Sequence, residues 1–311
     1  MQRNSFRPIS EHEAAKRRCR RIDLVWIETI INGVLLGGLY GLFGVGLALV
    51  FGVTRIVNIM HGEFIALSAF IALGISTLFP NVHPLFLILP VVVVSFALGY
   101  VLQAFLINRS MRFPDPLAPL LLTFGLSVIV RNLMIEGVGV SPRTIRQGDF
   151  GQLSVEVFGI HVGVLPLVTL ALSIILFVAL QVVLRRTEIG RIVRATADNS
   201  EVVRLMGVRP SSIYNIVMGL SFALAGIAGL MLALRTTFTP FSGVERLLIS
   251  FEVVVMGGLG SFWGAMLAGI ALGVAQLVGL RINPNSGFLY ANLVFLAFVM
   301  LRPNGLFGAR I

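Results

Sequence analysis

The sequence predicts an all-α polytopic membrane protein with about eight transmembrane helices, a ninth depending on how one long run divides, and broken or re-entrant segments. Three observations carry that prediction. Hydrophobic residues fill 57% of the 311 positions and charged residues only 12%, where soluble domains average about 25% charged. A soluble fold of this length keeps its exterior largely polar and cannot hide so much apolar surface. The apolar residues also gather into continuous runs of a length that crosses lipid as helix, without the alternation of a transmembrane barrel.

In chain order, residues 1–23 come first. They are polar and basic, with Arg3, Arg7, Lys16, Arg17, Arg18, Arg20 and Arg21 only partly offset by Glu11, Glu13 and Asp23. They read as a disordered tail. A cleaved signal peptide fits less well, because the apolar run that follows is too long for its core. Residues 24–311 read as one transmembrane domain, with apolar runs at 24–53, 57–79, 85–107, 117–137, 163–184, 213–235, 246–280 and 287–301. Most fit one helix each. The 246–280 run is long and is interrupted by Gly257, Gly258 and Gly260, so it reads as two segments or a broken helix. The last run is short for a full crossing.

Two polar connections interrupt the domain, at 138–162 and at 185–212, and the second is strongly basic. Basic flanks favour the cytoplasm, which would place both the tail and 185–212 there. Five runs separate them, an odd number. Either the tail breaks the rule or one run fails to cross, the first suspect being Asn58–Glu63. The 185–212 segment carries more weight as the cytoplasmic one. Glycines recur every four residues (Gly33, Gly37, Gly41; Gly260, Gly264; Gly269, Gly273), a spacing that lets helix backbones approach closely.

The net charge of +10 sits largely in flanks and loops, where it orients a membrane protein, so nucleic acid is not an expected partner. The single cysteine, Cys19, cannot form an internal disulfide. The single lysine, Lys16, lies between Ala15 and Arg17, so the chain holds no phosphate-binding loop ending in Lys-Ser or Lys-Thr. If transport is ATP-driven, the motor is another chain. Four scattered histidines (His12, His61, His83, His161) form no ligand pair, and no metal is expected.

Three places could carry function. Asn58-Ile-Met-His61-Gly62-Glu63 puts polar groups inside apolar sequence, where they should face protein or water. It reads as a broken helix lining a path, Gly62 permitting the break, or equally as a short interfacial loop. Glu252 lies in an apolar run. It reads either as a group on a substrate or proton path, or as a carboxylate paired with an arginine such as Arg131 or Arg235. Arg131 itself fits an interfacial, snorkelling role. In 185–212, Glu188, Gly190, Arg191, Arg194, Ala195, Asp198 and Gly207 belong to a segment of partial helical periodicity. Asp198 or Ser200 would cap a short surface helix and Gly207 would end it. Such a helix rests on anionic lipid or docks into a partner.

Several of these stretches carry a family resemblance. Asn32-Gly-Val-Leu-Leu-Gly-Gly-Leu-Tyr40-Gly, Val57-Asn58-Ile-Met-His61-Gly62-Glu63, Leu117-Ala-Pro119-Leu-Leu-Leu-Thr123-Phe-Gly125-Leu-Ser127 and Gly190-Arg191-Ile-Val-Arg194-Ala195-Thr-Ala-Asp198 resemble the LivH-type permease of branched-chain amino acid ABC importers. Gly257–Ala265 and Arg302–Gly308 match later signatures, and the resemblance spans roughly 28–308. The basic tail is an extension to the pattern, and Glu252 stands where a neutral residue is expected.

The resemblance implies an inner-membrane subunit with no catalysis and no cofactor of its own. It would pair with a second permease, two ATP-binding subunits and a periplasmic binding protein. The 185–212 segment would be the coupling helix, and Asn58–Glu63 would line the substrate path; Glu252, outside the family pattern, is a path candidate on its own chemistry alone. Related permeases carry urea or short amides, so the substrate stays open. The competing classes are a proton-coupled secondary transporter, with His61, Glu63 and Glu252 as its relay, and a passive channel, for which no charged ring or filter motif is present.

Overall fold

The computed structural model describes residues 11–113, 115, 117–145, 151, 153–157 and 160–307, with backbone alone for 11–24, 157, 160 and 161. It is an all-α membrane protein. Among the described residues, seven helices are long and apolar enough to cross a membrane. Helical backbone satisfies its own hydrogen bonds, which lipid cannot do for it.

The first crossing, Val25–Thr54, is part of α1 (Glu11–Thr54). Of the expected tail, residues 1–10 lie outside the described residues, and over 11–23 the backbone is helix continuous with α1. α2 spans Met60–Leu78. The third crossing, Pro84–Ser110, joins a 3-10 turn, α3 (Ile88–Leu102), a π turn (Gln103–Ile107) and α4 (Asn108–Ser110). α5 (Leu117–Val138) follows, then a hairpin of β1 (Ser154–Val157) and β2 (Ile160–Gly163), then α6 (Val164–Arg186). α7 (Glu188–Asp198) and α8 (Ser200–Leu205) fill the basic connection, and α9 (Pro210–Arg235) re-enters the bundle. α10 (Ser242–Gly257), α11 (Phe262–Ile282) and α12 (Gly287–Leu301) complete the chain, α12 being the short last helix.

The 246–280 run is two helices. Gly258 and Gly260 adopt φ of 99° and 85°, a region open to glycine at little steric cost. Ser261 then caps α11 by accepting a hydrogen bond from Gly264 N at 3.2 Å.

α1 is the axis of the bundle. From Leu39 to Val50 its residues are buried, and α9 is buried from Val217 to Leu234 save at Leu220. α6, α9, α10 and α11 pack around α1, while α3 and α5 lie further out with exposed apolar faces. The four-residue glycine rows meet: a Cβ on Gly273 would lie 2.7 Å from Gly37 Cα, and one on Gly269 2.8 Å from Gly37 O. Side chains there would drive the two backbones apart.

Contacts along the helices settle the orientation conflict. Ser221 Oγ donates to Gly46 O at 2.8 Å and Arg235 to Leu35 O at 3.4 Å, so α9 runs antiparallel to α1. α2 runs parallel to α9, with Phe64 against Phe222 and Phe70 against Phe238. α6 runs parallel to α1, Leu170 meeting Gly38 and Phe177 meeting Gly41. All five helices between the N-terminus and α7 therefore cross, and the chain enters α1 from the face opposite α7 and α8. Of the two basic segments, one must break the charge rule, and the buried Asn58–Glu63 stretch is not a failed crossing.

Gly37→Leu and Gly273→Leu are expected to destabilise the protein by more than about 3 kcal/mol, the top of the range for overpacking. The check is thermal unfolding and size-exclusion profile in detergent. Gly74→Ala, where a Cβ meets open space, should behave as the parent.

Candidate functional site: a buried break in the helices and a basic surface helix pair

α1 stops at Thr54, and Arg55 takes φ of 57°, a left-handed conformation rare outside glycine. Residues 55–58 are not helical, and α2 starts at Met60. The break therefore precedes Gly62, which lies inside α2, contrary to the expectation that Gly62 makes it. Gly62 serves close packing instead: a Cβ there would run into Gly243 O and Leu247 of α10.

The break lies deep. Ile59 N donates to Thr123 Oγ1 at 3.3 Å, six residues into α5 and so about 9 Å from its start. Asn58 is buried, and its Oδ1 accepts from Met60 N at 3.1 Å while its amide nitrogen approaches Met218 Sδ at 3.5 Å. Non-helical backbone at depth persists only where protein or a cavity shelters it, and α5 and α9 supply that shelter.

His61 is fully buried, with Nε2 2.9 Å from Phe43 O. A carbonyl only accepts, so Nε2 carries the proton, and Nδ1 is buried without a hydrogen-bond partner. Gly46 makes room for the ring, since a Cβ there would lie 2.9 Å from His61 Cε1.

Glu63 is 2% exposed, and its Oε1 receives Arg131 from α5 through Nε at 3.0 Å and through Nη2. Arg131 is thus a buried carboxylate's partner rather than a snorkelling interfacial residue. Its side chain remains 27% exposed. The other oxygen, Oε2, is buried without a hydrogen-bond partner and points where a Cβ on Gly243 would sit. The pair fastens α5, an outer helix, to α2.

Sequence reasoning placed Arg131 elsewhere, although one acid and one arginine in separate apolar runs are a signal for pairing. It also missed the Tyr40–Gln276 hydrogen bond between α1 and α11 and the Arg246 guanidinium 5.8 Å above the Phe43 ring.

Glu252 is not brought to this cluster. It lies nine residues along α10 from Gly243, about 13 Å of helix rise, on a face with exposed Leu248 and Phe251. Neither arginine considered as its partner reaches it: Arg131 holds Glu63 and Arg235 donates to Leu35 O. It is half-buried, with no hydrogen bond or ion pair among the described residues.

The basic connection is two helices rather than one, and neither Asp198 nor Ser200 caps it. Thr187 caps α7, accepting from Gly190 N at 3.1 Å, and Asn199 caps α8, accepting from Glu201 N and Val202 N. Gly207, with φ of 85°, turns the chain after α8.

The predicted residues divide by role. Gly190 is buried against the Val183 and Leu184 carbonyls, where a Cβ would not fit, and Arg194 reaches back to Leu184 O. These two seat α7 on the end of α6. Glu188, Arg191, Ala195 and Asp198 face outward, with Arg191 and Glu188 3.3 Å apart as an exposed pair. Beyond them Val202, Leu205 and Met206 are exposed by 50%, 88% and 77%. The tip is thus apolar, beside the exposed Arg191 and Arg204.

Comparison with known proteins agrees with this architecture. The sequence profile described as branched-chain amino acid transport system, permease component, matches residues 29–302. The chain is 26% identical over 300 residues to the high-affinity branched-chain amino acid transport permease BraD of Pseudomonas aeruginosa, covering 91% of this chain and 96% of that one. It is 26% identical over 301 residues to the permease LivH of Salmonella typhimurium, covering 92% and 96%. LivM of the same species is 28% identical over 305 residues, covering 86% of this chain and 67% of that one. No solved structure gives a significant match.

Removing one side of the buried ion pair leaves a charge stranded. Arg131→Met is expected to cost about 3–5 kcal/mol, while Arg131→Met combined with Glu63→Met recovers most of the loss. Unfolding of the single and double variants in detergent checks this.

Proposed function

The chain belongs to the branched-chain amino acid transport permease family, and from that premise we propose that it is the membrane-spanning subunit of an ATP-driven importer for branched-chain or other hydrophobic amino acids. Two ATP-binding subunits would power it, a periplasmic binding protein would deliver the solute, and it would sit in the inner membrane beside a second permease. LivH and LivM, two permease proteins of one species, are both similar to this chain, which supports pairing of related permeases.

The observation that carries the reading is the α7–α8 surface, with Leu205 and Met206 exposed beside arginines. A helix presenting such a face suits an ATPase groove. Closure of the ATPase pair would push α7. Gly190 and Arg194 tie α7 to the end of α6, and α6 packs through Leu170 and Phe177 onto Gly38 and Gly41 of α1. The push would therefore reach the bundle axis through these contacts. On this reading Asn58, His61, Gly62 and Glu63 line the mobile side of the path, where α5 is latched to α2 by Glu63 and Arg131. Glu252 lies on an unpaired face suited to the path or to the second permease.

Glu252 also favours a second reading, a proton-coupled carrier, because an unpaired carboxylate in an apolar helix is a proton-carrying site by default. The two readings differ in fuel. ATP depletion should stop uptake in intact cells and a proton ionophore in ATP-replete vesicles should not; the reverse pattern favours the carrier.

Arg191→Glu reverses an exposed charge on α7 and Gly207→Trp alters the turn after α8. Each is expected to reduce ATP-driven uptake at least about tenfold, since one lost hot-spot contact costs more than about 1.4 kcal/mol, with the purified chain still folded. Normal uptake in both would remove the docking assignment. Glu63→Gln is expected to lower uptake more than assembly.

A further inference from the structure

At the end of α6 nearest α7, an open cavity of about 520 Å³ lies between α6, α7, the first turn of α11 and Phe307. Its polar walls are Gln181, Arg185 and Arg194, with Ser261 and Trp263 opposite, and no carboxylate lines it. The cavity therefore holds two positive charges without a compensating acid. Arg194 is anchored to Leu184 O, which fixes its position, while Arg185 is exposed.

One turn away along α6 a shallow, open apolar groove on the exposed face of that helix alone, about 490 Å³, runs over Ile174, Ile175, Val178, Ala179, Val182 and Val183. Val178 precedes Gln181 by three residues, so groove and cavity follow one another on the helix surface. Helix length indicates the level. α6 has 23 residues, about 34 Å of helix against a hydrocarbon core of about 30 Å. A crossing of that length would bring Arg185, in its last turn, to the phosphate layer. Trp263, 41% exposed on the opposite rim, has the amphipathic ring typical of that layer.

We propose that the cavity and groove together bind one anionic phospholipid, its phosphate held by Arg185 and Arg194 and an acyl chain laid along Ile174–Val183. Charge complementarity selects the occupant. A headgroup with a net negative charge offsets part of the charge of the two guanidiniums, and a zwitterionic one would bring an ammonium into the same cavity. Basic pockets between membrane helices take anionic headgroups in this way. The lipid would bridge α6, α7 and α11 where α7 is seated.

The test is native mass spectrometry of the full-length chain, with whatever subunits co-purify, after exchange into detergent containing phosphatidylglycerol or phosphatidylcholine. Phosphatidylglycerol should stay bound at least about tenfold more than phosphatidylcholine. Arg185→Glu should lose it about tenfold, Arg185→Lys should keep most of it, and Val178→Trp, which fills the groove, should lose it while eluting as a folded protein. Equal retention of the two lipids would overturn the proposal, as would parent-like retention in both Arg185→Glu and Val178→Trp. An upward shift in thermal unfolding with inorganic phosphate equal to that with phosphatidylglycerol would also overturn it, by showing a free-anion site.

Discussion

The structure depends on how closely α1 and α11 approach. Lipid offers no hydrophobic drive between helices, so association rests on packing of surfaces that fit. Gly33 and Gly37 on α1, and Gly269 and Gly273 on α11, have no room for a Cβ against the facing backbone. That seam lets α1 lie at the centre with other helices on every side. It also gives the apolar composition its form: small residues line the seams of the inner helices, while bulky ones such as Leu89, Phe105, Leu121 and Ile175 stand exposed on α3, α5, α6 and the π turn.

A central α1 also explains why the chain can break at 55–59. The polar backbone there would be unaffordable against lipid, but the surrounding helices shelter it. Asn58 and Thr123 satisfy its first amides. Polar groups then cluster where shelter already exists: His61 on a carbonyl of α1, Glu63 on an arginine of α5. The partners left unmade, His61 Nδ1 and Glu63 Oε2, are the costs that a rigid, purely structural core would avoid. Gln103, Ser173 and Arg246 carry the same kind of cost elsewhere in the bundle.

Much of this was legible in the sequence. Length and continuity of the apolar runs gave the helices, including the division at Gly258–Gly260, because glycine at those φ values breaks a helix wherever it stands. The four-residue glycine rows marked sites of close helix packing, though not that the rows of α1 and α11 face each other. The basic, partly periodic surface segment was visible, but as one helix rather than the two that form. Other features depended on which helices become neighbours, and local pattern is silent about that. Arg131 lies 68 positions from Glu63, and nothing near either residue names the other. The caps went to Thr187 and Asn199 rather than to Asp198 or Ser200, since the segment divides at Asn199, between its two amphipathic halves. The break fell before Gly62 because Arg55 takes the left-handed conformation, and Gly62 was needed against α10.

The central claim is that this chain works as one subunit of an ATP-driven assembly docked through α7 and α8. The most direct measurement is to recover it from its native membrane in gentle detergent with ATP present and identify by mass spectrometry what comes with it. The account predicts a P-loop ATPase and a second, related permease. Recovery of the chain alone under those conditions would contradict it.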